Sequence, residues 1–196
     1  LARRVGPCTL APCAPGEYFE TLVKAIVYQQ LSGRAAATIW TRLRALARAG
    51  GPLAPGALAD VPDAALRTAG LSRQKLSFVR DLDARAASGA LALATIDALG
   101  DEEAIATLTA VRGIGRWTAE MFLIFALARP DVLPLADLGL RKAVRAAYRL
   151  RALPDARRLA RLGEAWRPWR SVATWLLWRS DGPAALPASN SHQVST

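Results

Sequence analysis

An all-α fold is predicted by three features of the sequence. Apolar residues recur with helical spacing nearly everywhere, cap-forming residues separate the periodic runs, and no run alternates polar with apolar. The expectation is on the order of nine or ten helices with short connections, forming two helical lobes with a cleft between them. Residues 1–180 are expected to form the folded part, as two intertwined lobes. The small, polar, proline-spaced stretch 181–196 is expected to be a flexible C-terminal tail. The one histidine, His192, lies in that tail, away from the fixed partners that catalysis by histidine requires.

The elements follow in chain order. In EYFETLVKAIVYQQLS, residues Phe19, Leu22, Val23, Ile26 and Val27 make a stripe at i, i+3, i+4, i+7 and i+8. Ser32 is placed to cap GRAAATIWTRLRALARAG, which Gly50 and Gly51 end. A loop then leads to a short helix that starts at Pro62 and Asp63 and stops at Gly70. Ser72 caps RQKLSFVRDLDARAASG, and Asp101 caps EEAIATLTAV. RWTAEMFLIFALARP follows and ends before Pro130. Asp137 caps LGLRKAV, a further helix falls near Pro154 to Arg161, and EAWRPWRSVATWLLWRS is the last. Trp40, Trp166, Trp169 and Trp175 read as core aromatics.

Composition narrows the function. A 52% hydrophobic chain of 196 residues has ample core, yet no stretch reaches the ~18 unbroken apolar residues of a membrane helix. Cys8 and Cys13 supply half a zinc site at most, and too few thiolates for a cysteine-ligated iron–sulfur cluster; free thiols in a reducing cytoplasm are expected. The chain opens at Leu1 without a methionine, which fits a missing upstream piece, and nothing in it resembles a signal peptide. The net charge of +10 comes almost wholly from arginine, since only Lys24, Lys75 and Lys142 are lysines. Such a surplus suits a polyanion, and guanidinium matches phosphate in shape.

One stretch stands out: LTAVRGIGRWTAEM, residues 108 to 121. Gly113 and Gly115 allow positive φ and close backbone approach, so the chain can reverse between two helices, with Ile114 pointing into their seam. The second helix begins at once, and its unpaired N–H groups with Arg116 beside them offer a seat for phosphate. Read alone, this is either a plain connector or a sequence-independent grip on a DNA backbone. Asp137, read alone, is a helix cap whose ionised form the helix dipole favours.

LTAVRGIGRWTAEM resembles the hairpin of the helix–hairpin–helix DNA glycosylase superfamily. RPDVLPLADLGLRKAV resembles the segment carrying that superfamily's catalytic aspartate. AIVYQQLSGRAAATI and WRPWRSVATWLLWR are similar to the bacterial 3-methyladenine DNA glycosylase II branch, so four motifs match in order across residues 17 to 179. The chain resembles the catalytic lobes only, with no room for the β-rich N-terminal domain of longer members.

The resemblance implies roles residue by residue. Asp137 stabilises the oxocarbenium-like sugar and orients the attacking water. Trp117 stands where bifunctional lyases carry their Schiff-base lysine, so a monofunctional, water-using enzyme is implied. Trp117 and Trp178, with Tyr28 as a third wall, stack on a flipped cationic base. Gln30 takes the position of the intercalating wedge, with Leu31 sharing the task, although a better-known relative has leucine at the first position. Met121 replaces a pocket tyrosine of the same relative. Backbone N–H groups of Gly113 and Gly115, with Arg116 and Thr118, grip phosphate. The carbonyls of Thr109, Val111 and Ile114 hold a structural monovalent or divalent cation, and the chemistry needs no other cofactor.

The implied activity is hydrolytic excision of alkylated purines, such as 3-methyladenine and 7-methylguanine, from double-stranded DNA in base-excision repair. A monomeric, cytoplasmic, nucleoid-associated bacterial protein is expected. Two alternatives stay open: a related glycosylase acting on oxidised or mismatched bases, and a DNA-binding module that keeps the hairpin without catalysis.

Overall fold

A computed structural model of the protein describes residues 2–47 and 51–180. His192, the tail 181–196 and Gly50 lie outside the described residues. Ten α-helices and no strand occur among the described residues: α1 (Ala2–Val5), α2 (Tyr18–Tyr28), α3 (Gly33–Leu46), α4 (Asp63–Ala69), α5 (Arg73–Ala87), α6 (Asp101–Thr109), α7 (Arg116–Phe125), α8 (Leu138–Ala147), α9 (Ala156–Gly163) and α10 (Arg170–Ser180). Short 3₁₀ turns lie at Pro15–Glu17, Leu93–Ala98 and Glu164–Trp166. The chain divides into two compact units. Among the described residues, one comprises those from 13 to 122; the other joins residues 2–12 to residues 123–180.

In the first unit, α2 is the central helix. Its expected stripe of Phe19, Leu22, Val23, Ile26 and Val27 is buried throughout, and it packs on α3 and α5. Tyr18 meets Phe122 edge to face with ring centroids 5.5 Å apart, an arrangement aromatic quadrupoles favour. In the second unit α10 packs against α8 and α1.

Several expectations are corrected, each for a local reason. The α2 helix ends at Tyr28, within the periodic run EYFETLVKAIVYQQLS, because Gln29 leaves helical geometry with ψ 130°. Ser32 sits at the cap of α3 as expected, but its side chain makes no capping bond. Gly100, not Asp101, is the cap residue of α6, and Asp101, Glu102 and Glu103 fall in the first turn, where carboxylates complement the helix dipole. The last segment breaks in two, because Pro168 disfavours helical geometry at the residue before it and Arg167 adopts ψ 143°. Of the tryptophans read as core, Trp175 is 3% exposed, whereas Trp169 is 59% exposed and Trp40 and Trp166 are half-buried. Trp166 is drawn outward by a hydrogen bond from its Nε1 to the hydroxyl of Tyr148, at 2.9 Å.

Candidate active site

Asp137 caps α8, as the sequence predicts, and is buried, 9% exposed. Its Oδ1 accepts the Leu140 N–H at 2.5 Å and the indole Nε1–H of Trp178 at 2.9 Å. Two donors on one oxygen fix the direction of the carboxylate. Gly139 leaves room for this bond. A Cβ there would stand 3.2 Å from Oδ1 of Asp137 and 3.4 Å from Nε1 of Trp178. Phe125 stacks on the Trp178 ring, centroids 5.7 Å apart and 16° from parallel. Trp178 therefore has its N–H on the acid, one ring face on Phe125, and little exposed surface.

The loop leading to Asp137 is stitched to the start of α10. Ser171 N–H donates to the Pro130 carbonyl at 2.9 Å, and Val132 N–H donates to Ser171 Oγ at 2.9 Å. Asp131 accepts from Arg170 Nε at 2.7 Å and Nη2 at 3.0 Å, and from Arg167 Nη1 at 2.8 Å. Burial pushes the Asp131 carboxyl upward, but the Arg170 and Arg167 guanidiniums outweigh it and hold the group below its ordinary range. A depressed folded pKa gives stability that is present above the unfolded value and lost as pH falls through the folded one. Asp131→Asn is expected to cost about 2 kcal/mol at neutral pH, the scale of hydrogen bonds to a charged group. In urea melts run across pH, the gap from wild type should close as the medium is acidified below the carboxylate range.

The hairpin belongs to the other unit and joins α6 to α7. Gly113 has φ +79°, and a Cβ on it would lie 2.1 Å from the Phe78 ring, so only glycine fits. Ile114 is buried, as the seam requires. The turn is closed by Ile114 N–H on the Val111 carbonyl at 3.1 Å, and Arg112 N–H donates to Asp81 Oδ2 at 2.8 Å. Trp117 is 43% exposed, while Thr118 is buried.

Arg116 departs from the simple expectation. Its guanidinium binds Glu102 through two bonds of 2.9 and 2.5 Å and Glu120 at 3.0 Å, and Glu102 chiefly, with Glu120, holds the group charged well above its usual range. A phosphate must therefore compete with two carboxylates for Arg116.

The turn after α2 carries Gln30 and Leu31, the residues expected to form a wedge. Gln30 is exposed and left-handed, φ +57°, and Leu31 is 41% exposed. Lys75 donates to the carbonyls of Val27 at 2.7 Å and Gln29 at 2.6 Å, and burial pushes its amine below the ordinary range. Gln29 Nε2 donates to the Gly113 carbonyl at 2.9 Å. Tyr28 already has the Lys24 ammonium 5.9 Å from its ring centre, which disfavours a second cation on that face. Met121 is buried.

The fold thus brings Asp137 to Trp178 in one unit, and the wedge turn to the glycine hairpin in the other. Sequence reading missed Lys75, Gln29, Gly139, Phe125 and Asp131. The signal available for Lys75 was its rarity among arginines, at the first turn of α5.

Comparison with known proteins gives the class first. The model of the HhH-GPD superfamily base excision DNA repair proteins matches residues 23–168, and the chain belongs to this family. Individual relatives then narrow it. The chain is 35% identical over 139 residues to DNA-3-methyladenine glycosylase 1 of Schizosaccharomyces pombe, a match that covers 70% of this chain and 61% of that protein's length. Among solved structures it is similar to DNA-3-methyladenine glycosidase from Bacillus halodurans, with TM-score 0.82 and 36% identity over 92% of this chain and 82% of that one. It is also similar to the S. pombe 3-methyladenine DNA glycosylase in complex with abasic DNA, with TM-score 0.78 and 30% identity over 92% and 88% of the two chains. No described helix is long and apolar enough to cross a membrane.

Proposed function

We propose that the protein is a monofunctional DNA glycosylase that extrudes alkylated purines, 3-methyladenine and 7-methylguanine among them, from double-stranded DNA and hydrolyses their bond to the sugar. The observation that carries this reading is the buried Asp137 carboxylate, aimed by the α8 N-terminus and by the Trp178 indole N–H. A phosphate-binding module has no use for such a group, which argues for chemistry beyond DNA binding. The names of the relatives support the lesion class.

Alkylation at N3 or N7 leaves a purine cationic. As the C1′–N bond breaks, its electron pair neutralises the base and positive charge builds on the sugar, where Asp137 stabilises it. Water then adds to C1′ and gives up a proton, leaving an abasic site. Trp117 offers an indole face to the cation, worth about 0.5–2 kcal/mol. Gln30 and Leu31 fill the vacated stack. Hairpin N–H groups of Gly113 and Gly115, with Arg116 and Thr118, grip the phosphate. The carbonyls of Thr109, Val111 and Ile114 are oxygen donors of the kind hard cations take, and Val111 keeps a second lone pair beside its bond to Ile114. The protein acts as a monomer in this reading.

Two assays test the proposal. Purified protein should release methylated purines from alkylated duplex DNA, and should release little from duplexes carrying 8-oxoguanine or mismatches. Borohydride should trap no covalent adduct, because the hairpin 108–121 contains no lysine and the Lys75 amine is committed to two carbonyls. A trapped adduct would overturn the monofunctional assignment.

A further inference from the structure

We propose that one side of α5, acting with Gln29, is a positioning bracket that sets the wedge turn against the phosphate-gripping hairpin, so that gripping DNA and filling the vacated stack happen in one register. The inference rests on the glycosylase reading above and adds positioning residues to it.

Lys75, Phe78 and Asp81 lie at i, i+3 and i+6 on α5 and therefore on neighbouring positions of its surface. Each holds a different piece of the same assembly. Lys75 closes the C-terminal end of α2, donating to the Val27 and Gln29 carbonyls at 2.7 and 2.6 Å, where the helix dipole favours a cation. The Phe78 ring occupies the space beside Gly113 that any side chain there would need. Asp81 accepts the Arg112 N–H at 2.8 Å, immediately before the hairpin glycines, and is itself braced by Arg85 Nε at 2.9 Å. Gln29 closes the circuit with its 2.9 Å bond to the Gly113 carbonyl.

The bracket has something to resist. Gln30 is a non-glycine residue at φ +57°, a left-handed conformation that persists only where its surroundings impose it. The residues before it are pinned by Lys75 and Gln29, so Gln30 and Leu31 stand at a fixed place relative to Gly113. Without those bonds the turn would relax toward ordinary geometry, the wedge would lose its aim, and the hairpin would still bind phosphate.

The test separates aim from grip. The probe is a duplex with a tetrahydrofuran abasic analogue and 2-aminopurine opposite it, whose fluorescence rises when a side chain enters the stack. Lys75→Met and Gln29→Ala are expected to bind this duplex within about twofold of wild type, yet to lose at least two-thirds of the fluorescence rise. Excision of a methylated purine from duplex should fall about tenfold, and excision from single-stranded DNA, which needs no wedge, should hold. Lys75→Arg should restore part of the signal. If Lys75→Met fails to fold, Gln29→Ala carries the test, since it removes one bond at the surface of the turn. A wild-type fluorescence rise in the folded variants, or a parallel fall on both substrates, overturns the bracket. Wild-type protein that gives the fluorescence rise but releases no base would instead sink the glycosylase reading.

Discussion

Asp137→Asn is expected to lower release of methylated purines from alkylated DNA by about 10²–10³-fold, the range seen when one electrostatic group aimed at developing charge is removed. Affinity for the same DNA and the melting temperature should stay close to wild type. The geometry explains why asparagine is the right probe. Its side-chain oxygen can still accept the Leu140 N–H and the Trp178 indole N–H, and asparagine caps helices about as well as aspartate. Both of these bonds can survive while the negative charge is lost. Asp137→Ala is a poorer experiment, because it also removes the cap and strands a buried indole donor, each at a cost of about 1 kcal/mol or more. Single-turnover release and duplex binding, measured side by side, check the prediction. Undiminished turnover by the asparagine variant would remove the carboxylate from the mechanism.

Gly113→Ala is expected to have the largest effect on the fold. A left-handed backbone costs a Cβ-bearing residue about 1–2 kcal/mol, and overpacking adds about 1–3 kcal/mol. The Phe78 ring cannot step aside cheaply, because the nearest atoms include its Cγ at 2.3 Å from the new Cβ, close to the root of the side chain. Urea melts should therefore show a loss of roughly 2–5 kcal/mol by the same two effects. At temperatures where the variant stays folded, its affinity for undamaged duplex should fall and the salt dependence of binding should flatten, as fewer phosphates are neutralised. The double variant Phe78→Ala with Gly113→Ala should recover the steric part and keep the backbone part. A purely additive double variant would show that Phe78 is not what excludes the side chain.

The sequence disclosed a good part of this. The α2 stripe, the Gly70 stop, and the caps at Ser72 and Asp137 were legible, because each depends on residues within one or two turns. The glycine hairpin was legible for the same reason. Helix ends were less so: the sequence pointed to Asp101 as the cap of α6, and the backbone places the cap one residue earlier, at Gly100. Trp169 shows the limit for aromatics, because composition makes it a core candidate while the break at Pro168 leaves it on the surface.

By itself the sequence determined the helical class, the order of the elements, the turn at Gly113 and the carboxylate at a helix start. Only the tertiary structure decided what touches them. It bonded Trp178 to an acid 41 residues away, Gln29 to a hairpin carbonyl 84 residues away, and Arg116 to Glu102. Periodicity and capping record which neighbours along the chain share a face. They carry no record of which distant side chain fills the space opposite, because that is settled by the packing of whole helices against one another.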